Sequence, residues 1–183
     1  DIANSSRKIK DKELAVAKEH GIDPIEFIVG YDALAVFLHK DNPLKTLTID
    51  QLAAIYGEGG AVEKWSQLGV KVPGCDSDEI IRVSRQNNSG TYAYFKEAVL
   101  ARDGEYKLGS RDMHGSKDVV DLVENTPCAI GYSGLAYATE TVSMLCVGAD
   151  ADTCVSPSVE TAVDHTYPIA RPLFMYTNGK PTG

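Results

Sequence analysis

The long apolar segment Ile25–Leu38 restricts the folds open to this chain more than any other part of it. It is rich in Ile, Val, Phe and Ala, and polar residues interrupt it only briefly. Such a segment is typical of a strand, or of two strands in sequence, buried on both faces. A strand of this kind lies in the interior of a layered fold, and Asn42-Pro43 ends it.

Helical patterns occur on both sides of this segment. Lys8–His20 is a charged segment with helical character, and Gly21 follows at a C-capping position. Thr48 with Gln51 three residues later is a capping-box pattern, which predicts that a second helix begins there. Two more helices are predicted over Thr91–Arg102 and Asp118–Glu124.

Strand patterns alternate with these helices. They cover Ile80–Ser84, Cys128–Tyr132, Val142–Val147 and Tyr167–Tyr176. The alternation predicts an α/β fold with a largely parallel sheet. Pro168 and Pro172 predict that the last strand lies at an edge or pairs irregularly, because proline cannot donate to a ladder.

Composition excludes several classes of protein. The 183 residues are 43% hydrophobic and 24% charged, which is typical of a soluble globular chain and not of a disordered one. The net charge of −8, with no Lys/Arg cluster, argues against a nucleic-acid partner. No apolar run approaches the ~20 residues of a membrane span. No histidine has a familiar metal-ligand spacing, so no metal or other cofactor is expected.

The four cysteines, Cys75, Cys128, Cys146 and Cys154, permit two interpretations. They are buried or unreactive thiols, or Cys146 and Cys154 form a disulfide that closes a small polar loop. A disulfide at that position implies an oxidising compartment.

The strongest chemical signal is the run Arg85-Gln86-Asn87-Asn88-Ser89-Gly90-Thr91. A strand is predicted to end near Arg85 and a helix to begin at once after the polar turn, so backbone N–H groups and the helix dipole meet there. Gly90 allows a ligand to approach the backbone, and the Ser89 and Thr91 hydroxyls add donors. The Arg85 guanidinium suits a tetrahedral oxyanion. The alternative is that Ser89 or Thr91 only caps the helix.

A resemblance to a known family extends over nearly the whole chain. In order, the matching segments resemble those of phosphate-binding proteins of bacterial ABC uptake systems. They are 1–7 (Asp-Ile-Ala-Asn-Ser-Ser-Arg), 31–36 with Asn42-Pro43, Leu47-Thr48 with Gln51-Leu52, 55–57, Trp65, 85–91 with Phe95, 129–132 and 169–173.

The resemblance implies a type II periplasmic-binding-protein fold, in which two α/β lobes close on a ligand across a hinge. Residues 38–137 are expected to form the second lobe. Residues 1–37 are expected to form part of the first lobe with a crossing strand, and residues 138–183 the return crossing. The chain is expected to be a fragment that lacks the family's N-terminal and C-terminal parts.

The resemblance also assigns ligand residues. Arg85, Ser89, Gly90 and Thr91 match the family's second-lobe phosphate contacts, and Ser5-Ser6-Arg7 matches a first-lobe loop. Some members carry Asp at the position of Ser6, and that Asp accepts a hydrogen bond from protonated phosphate and so rejects sulfate. A Ser6 hydroxyl can accept or donate. The alternatives are that Ser6 caps the following helix and that Arg7 forms a salt bridge.

The implied function is capture of phosphate, or a related oxyanion, outside the cytoplasmic membrane. The implied partner is the membrane permease of an ABC transporter, and the implied location is periplasmic or extracellular, with the signal peptide outside this sequence. The chain is expected not to be an enzyme. Two alternatives remain: a phosphatase-like enzyme with Ser89 as nucleophile, and a binding lobe that serves as an envelope sensor or adhesion module.

Overall fold

The computed structural model describes residues 2–101, 103–150 and 152–181. Asp1 and Arg102, which the sequence analysis used, lie outside the described residues. The elements follow in the order β1 (Ile2–Ser5), α1 (Asp11–Glu19), β2 (Pro24–His39), β3 (Thr46–Thr48), α2 (Ile49–Tyr56), β4 (Ile81–Arg85), α3 (Gly90–Val99), β5 (Arg111–Met113), α4 (Ser116–Glu124), β6 (Ala129–Gly134), β7 (Val142–Met144), β8 (Cys146–Gly148), α5 (Val159–Val163) and β9 (Ala170–Asn178).

The chain forms two compact units. Unit 1 comprises Asp1–Asp32 and Arg171–Gly183, and unit 2 comprises Ala33–Ala170. The chain therefore passes between the units within β2 and again at the start of β9. The lobe boundaries expected from the resemblance refer to a two-lobed protein of greater length, and they stay a prediction.

Unit 2 is built on a mixed sheet. Its strand order is β2-β6-β4-β5, with β7 on the C-terminal part of β2. Strand β6 is antiparallel to β2 and parallel to β4, and β4 is parallel to β5. The α/β class is confirmed, but the expectation of a largely parallel sheet is wrong. Helices α3 and α4 join β4, β5 and β6 to one another, and strands joined by such a helix run parallel. Neither helix joins β2 to a strand, so β2 is not constrained in this way and pairs antiparallel with β6.

Two strand predictions need correction. The predicted strand Val142–Val147 is two strands, because the chain changes partner: the Leu145 N–H donates to the Val36 carbonyl, whereas the Cys146 N–H donates to that of Lys45. In unit 1, β9 is not an edge strand, since it lies between β1 and β2 in the strand order. Pro172 precedes the residues of β9 that pair with β1, so its missing N–H does not interrupt that ladder.

Each face of the unit 2 sheet carries its own apolar layer. On one face, Val119 and Val123 of α4 are fully buried against Val83 of β4. Gly131 of β6 makes this close packing possible, because a Cβ there would lie 2.8 Å from Val123 Cγ2. A separate group of stacked and edge-on rings joins α2 and α3 to the sheet: Tyr56, Phe95, Tyr106 and Tyr132.

Two disulfides close loops of unit 2. Cys146 is bonded to Cys154, the pair that the sequence spacing suggested, and Cys75 is bonded to Cys128, a pair that the sequence analysis did not consider. The second bond ties the loop before β4 to the residue that precedes β6. Among the described residues, no helix has the length and apolar character needed to span a bilayer.

We expect the two disulfides to contribute unequally to stability. Cys75 and Cys128 are separated by 53 positions and Cys146 and Cys154 by 8. Loop-closure entropy then predicts a loss of about 4 kcal/mol in the free energy of unfolding for the double variant C75S/C128S, and about 2.5 kcal/mol for C146S/C154S. Urea unfolding of both variants and of the parent chain measures the difference. An equal or larger loss for C146S/C154S would contradict this ranking.

Candidate anion-binding site

The candidate site lies at the carboxyl edge of the parallel part of the unit 2 sheet. Arg85 is the last residue of β4, and His114 directly follows β5. Because β4 and β5 are parallel, these ends meet at one edge, where ligands bind in open α/β sheets. Helix α3 begins at Gly90 and α4 at Ser116, so two helix N-termini start at the same edge.

Hydrogen bonds hold the Arg85 guanidinium at this edge. Its Nη1 lies 2.7 Å from the Ser116 Oγ and 3.5 Å from the Thr91 Oγ1, and its Nη2 lies 3.0 Å from the His114 carbonyl oxygen. The Nε is buried and has no hydrogen-bond partner among the described residues. The guanidinium is therefore anchored mainly through its two terminal nitrogens.

Ser89 is the N-cap of α3. Its Oγ accepts from the backbone N–H of Thr91 at 3.1 Å and of Tyr92 at 3.5 Å, and its own N–H closes the turn by donating to the Gln86 carbonyl. The capping interpretation of Ser89 is therefore correct for the hydroxyl oxygen. It does not compete with the anion interpretation, because a cap uses the oxygen as an acceptor and leaves the hydroxyl proton available.

Three hydroxyl groups at this edge share that property. The oxygens of Ser89, Thr91 and Ser116 accept from backbone N–H groups or from arginine, which can only donate. In the described part of the chain, none of the three hydroxyls donates to another protein group. Each can donate its proton to an added acceptor, so the edge presents donors to an anion.

The opposite face of β4 is held by the tyrosines. The Tyr132 hydroxyl lies 2.7 Å from the Ser84 Oγ and 2.9 Å from the Tyr106 hydroxyl, and burial raises the pKa of Tyr132 to about 12. Tyr56 donates to the carbonyls of Val83 and Ile130. These contacts fix the strand immediately before Arg85, and Tyr132 is a packing residue.

The segment Ser5-Ser6-Arg7 belongs to unit 1. The Ser5 hydroxyl donates to the Arg7 carbonyl at 2.7 Å, and the Arg7 guanidinium forms a two-pronged ion pair with Glu13 at 2.7 and 2.9 Å. This pair is the salt bridge that was the alternative for Arg7. Ser6 is half-buried, and it does not cap α1, which begins at Asp11 after Lys10.

Sequence reasoning did not identify Ser116 or the His114 carbonyl as parts of the site. The available signal was Gly115-Ser116 followed by Asp118, because the Asp118 Oδ2 accepts from the Gly115 N–H at 2.8 Å and caps α4. Strand β5 has only three residues, Arg111–Met113, and so its pattern is too short to predict that this helix start lies beside Arg85.

Comparisons with known proteins agree with this description. The model of a PBP superfamily domain matches residues 1–183. A phosphate-binding protein PstS of Pseudomonas aeruginosa is 36% identical, over 96% of this chain and 56% of that protein. Protein SphX of Synechococcus elongatus is 35% identical, over 97% of this chain and 53% of that protein.

Solved structures give the same result. A phosphate-bound crystal structure from Clostridium perfringens superposes with a TM-score of 0.78 at 31% identity, over 96% of this chain and 65% of that one. PstS from Borrelia burgdorferi gives 0.70 at 25% identity, over 97% of this chain and 67% of that one. The type II periplasmic-binding-protein fold and the family resemblance are confirmed. The chain spans about half the length of the curated relatives that it matches.

The Arg7–Glu13 pair permits a titration test in unit 1. The hydrogen bonds from Arg7 lower the pKa of Glu13 from 4.5 to about 2, so the pair stabilises the folded chain above pH 4.5 and loses that effect as the pH falls through about 2. We expect carbon NMR titration of the Glu13 carboxyl to give a pKa near 2 in the parent chain. In Arg7→Ala the pKa is expected to rise toward 4.5, and an unchanged midpoint would refute the pair.

Proposed function

The chain belongs to the PBP superfamily, and on that premise we propose that it is part of an extracytoplasmic solute-binding protein that captures inorganic phosphate for an ABC transporter. One observation carries the proposal: the Arg85 guanidinium lies at the start of α3 together with the hydroxyls of Ser89 and Thr91, whose protons are available. Oriented donors at a helix N-terminus favour an anion, and a guanidinium matches a tetrahedral oxyanion.

In this proposal the second-lobe half of the site consists of Arg85, Ser89, Gly90 and Thr91. The phosphate accepts from the guanidinium, the two hydroxyls and the backbone at the start of α3. Ser5 and Ser6 are proposed as contacts from the first lobe. Arg7 acts through its ion pair with Glu13, which orders the loop that carries both serines.

The number of contacts sets the expected affinity. Each charge-assisted hydrogen bond contributes on the order of 1.5–3 kcal/mol before the costs of binding, and micromolar affinity requires about 8 kcal/mol. The curated relatives are almost twice as long as this chain. Loops outside the matched span are proposed to complete the contacts, so we expect residues 1–183 alone to bind phosphate only weakly.

The contacts of Ser89 favour a receptor over an enzyme. A serine nucleophile needs a base that takes its proton. The Ser89 Oγ interacts with the N–H groups of Thr91 and Tyr92, and within the described residues no carboxylate or imidazole contacts it. We therefore propose that the protein binds phosphate without reacting with it. Phosphatase turnover by the wild-type chain that is abolished in Ser89→Ala would support an enzyme instead.

The proposed location is the periplasm or the cell exterior, and the proposed partner is a membrane permease. The two disulfides support this location, because such bonds persist in oxidising compartments and are rare in the cytosol. The relatives named for phosphate binding and the phosphate-bound crystal structure support the ligand. The alternative is a role as a sensor or adhesion module. A signalling or anchoring domain in the same protein would favour that role.

We expect Arg85→Ala to weaken phosphate binding by about thirtyfold, which corresponds to about 2 kcal/mol for one charge-assisted contact. The measurement is a titration with inorganic phosphate of the nitrogen-15-labelled solute-binding protein of which this chain is proposed to be a part, in which the amide signals of Gly90 and Thr91 are followed. The loss arises because the remaining donors at this edge carry no full positive charge.

Arg111→Ala is the matched control. Arg111 is exposed on the neighbouring strand β5, so its removal takes away the same charge without the proposed contact. We expect it to change the affinity by less than about threefold, as for other exposed charges. Equal effects of the two variants would sink the assignment of Arg85, since the loss would then report net charge only.

A further inference from the structure

We infer that Ser116 is a positioning residue for the anion site: it holds the Arg85 guanidinium in the orientation in which phosphate is bound. The inference rests on the proposed function and extends the site to a second helix, α4. Sequence resemblance assigned no role to Ser116, whereas the contacts at the sheet edge place it against Arg85.

The bond between Ser116 and Arg85 is the shortest that the guanidinium makes. The Ser116 Oγ lies 2.7 Å from Nη1, whereas the Thr91 Oγ1 lies 3.5 Å from the same nitrogen, at the outer limit of a hydrogen bond. The His114 carbonyl holds only Nη2, and Nε has no partner among the described residues. Without the Ser116 hydroxyl, one strong anchor would remain, about which the guanidinium could turn.

Ser116 is itself held by a rigid support. Its carbonyl accepts from the Ser133 hydroxyl at 3.3 Å, and Ser133 is fully buried at the end of β6. The Asp118 Oδ2 fixes the preceding Gly115 N–H at 2.8 Å. Below this turn, α4 is anchored by Val119, Val120 and Val123, all of which are buried. A hydroxyl on such a support can restrict the rotamer of a long side chain.

Restricting the rotamer matters because arginine loses conformational freedom when it binds a ligand. A free guanidinium loses conformational entropy when it binds a ligand, and an anchored one has already lost that freedom. The guanidinium has five N–H donors, so the bonds to Ser116 and His114 leave others for the anion. The Ser116 contact therefore preorganises Arg85 without using all its donors.

The test uses Ser116→Ala, which removes the hydroxyl, and Ser116→Thr, which keeps it. We expect Ser116→Ala to weaken phosphate binding by about five- to tenfold in the amide titration described above, and Ser116→Thr to restore most of the affinity. The Arg85 side-chain Nε–Hε signal gives a second readout, because a freed guanidinium rotates faster and its signal broadens or shifts. In Ser116→Thr this signal is expected to resemble that of the parent chain.

Ser158→Ala is the matched control for general loss of stability. The Ser158 Oγ caps α5, accepting from the Thr161 N–H at 3.1 Å, so its removal deletes a serine hydroxyl at another helix start in unit 2. We expect Ser158→Ala to lower the unfolding midpoint and to leave phosphate affinity and the Arg85 signal unchanged. A loss of affinity in Ser158→Ala equal to that in Ser116→Ala would overturn the positioning role.

The single variants Arg85→Ala and Ser116→Ala, compared with the double variant, separate failure of this inference from failure of the proposed function. If Arg85→Ala does not weaken binding, the proposed function fails at this site, and the role of Ser116 fails with it. If Arg85→Ala weakens binding and Ser116→Ala does not, only the inference on Ser116 is wrong. A positioning role predicts that Ser116→Ala has little further effect in the Arg85→Ala background. An undiminished effect there would show a direct contact instead and would overturn the inference.

Discussion

The parallel pairing of β4 with β5 and β6 is the constraint on which the candidate anion site depends. Parallel strands end at the same edge, so Arg85 and the first turn of α3 meet the first turn of α4 there, although Arg85 and Ser116 are 31 positions apart. Close packing beneath the edge maintains the register. Gly131 lets Val119 and Val123 of α4 approach the sheet directly, and any larger residue at that position would push the helix away.

Side chains alternate along β4, so its last two residues lie on opposite faces of the sheet. Ser84 faces the tyrosines, where its Oγ contacts the Tyr132 hydroxyl, and Arg85 faces α4, where it contacts Ser116. The tyrosine face is closely packed, with Tyr132 and Phe95 stacked at 3.7 Å between ring centres. The side of Arg85 and Ser116 is polar and half-buried. The strand thus connects a packed interior with a group of oriented donors.

The donor character of this edge explains how an acidic protein can be suited to bind an anion. With a net charge of −8, the chain does not attract anions over long distances. The donors proposed to hold the anion are local: one guanidinium, hydroxyl protons and backbone N–H groups. Because all of these donate, they suit fully ionised sulfate as well as phosphate. Discrimination between the two requires an acceptor, and the Ser6 hydroxyl is a weaker candidate for that role than a carboxylate.

Local signals in the sequence were sufficient for part of this description. The capping box of Thr48 and Gln51, the glycine after α1 and the polar turn between β4 and α3 each depend on residues a few positions apart, and each has the predicted form. The motif order also identified the family. Strand direction was less accessible, because β2 and β6 are separated by most of unit 2 and no short connection determines how they pair.

The sequence by itself therefore determined the starts of α2 and α3, the polar turn before α3 and its Ser89 cap, since those depend on backbone geometry within one turn. Only the tertiary structure decided that Cys75 pairs with Cys128, that β9 lies inside its sheet, and that Ser116 meets Arg85. Each of these contacts joins residues whose separation along the chain carries no local pattern. The sheet register and the packing of α4 bring them within bonding distance.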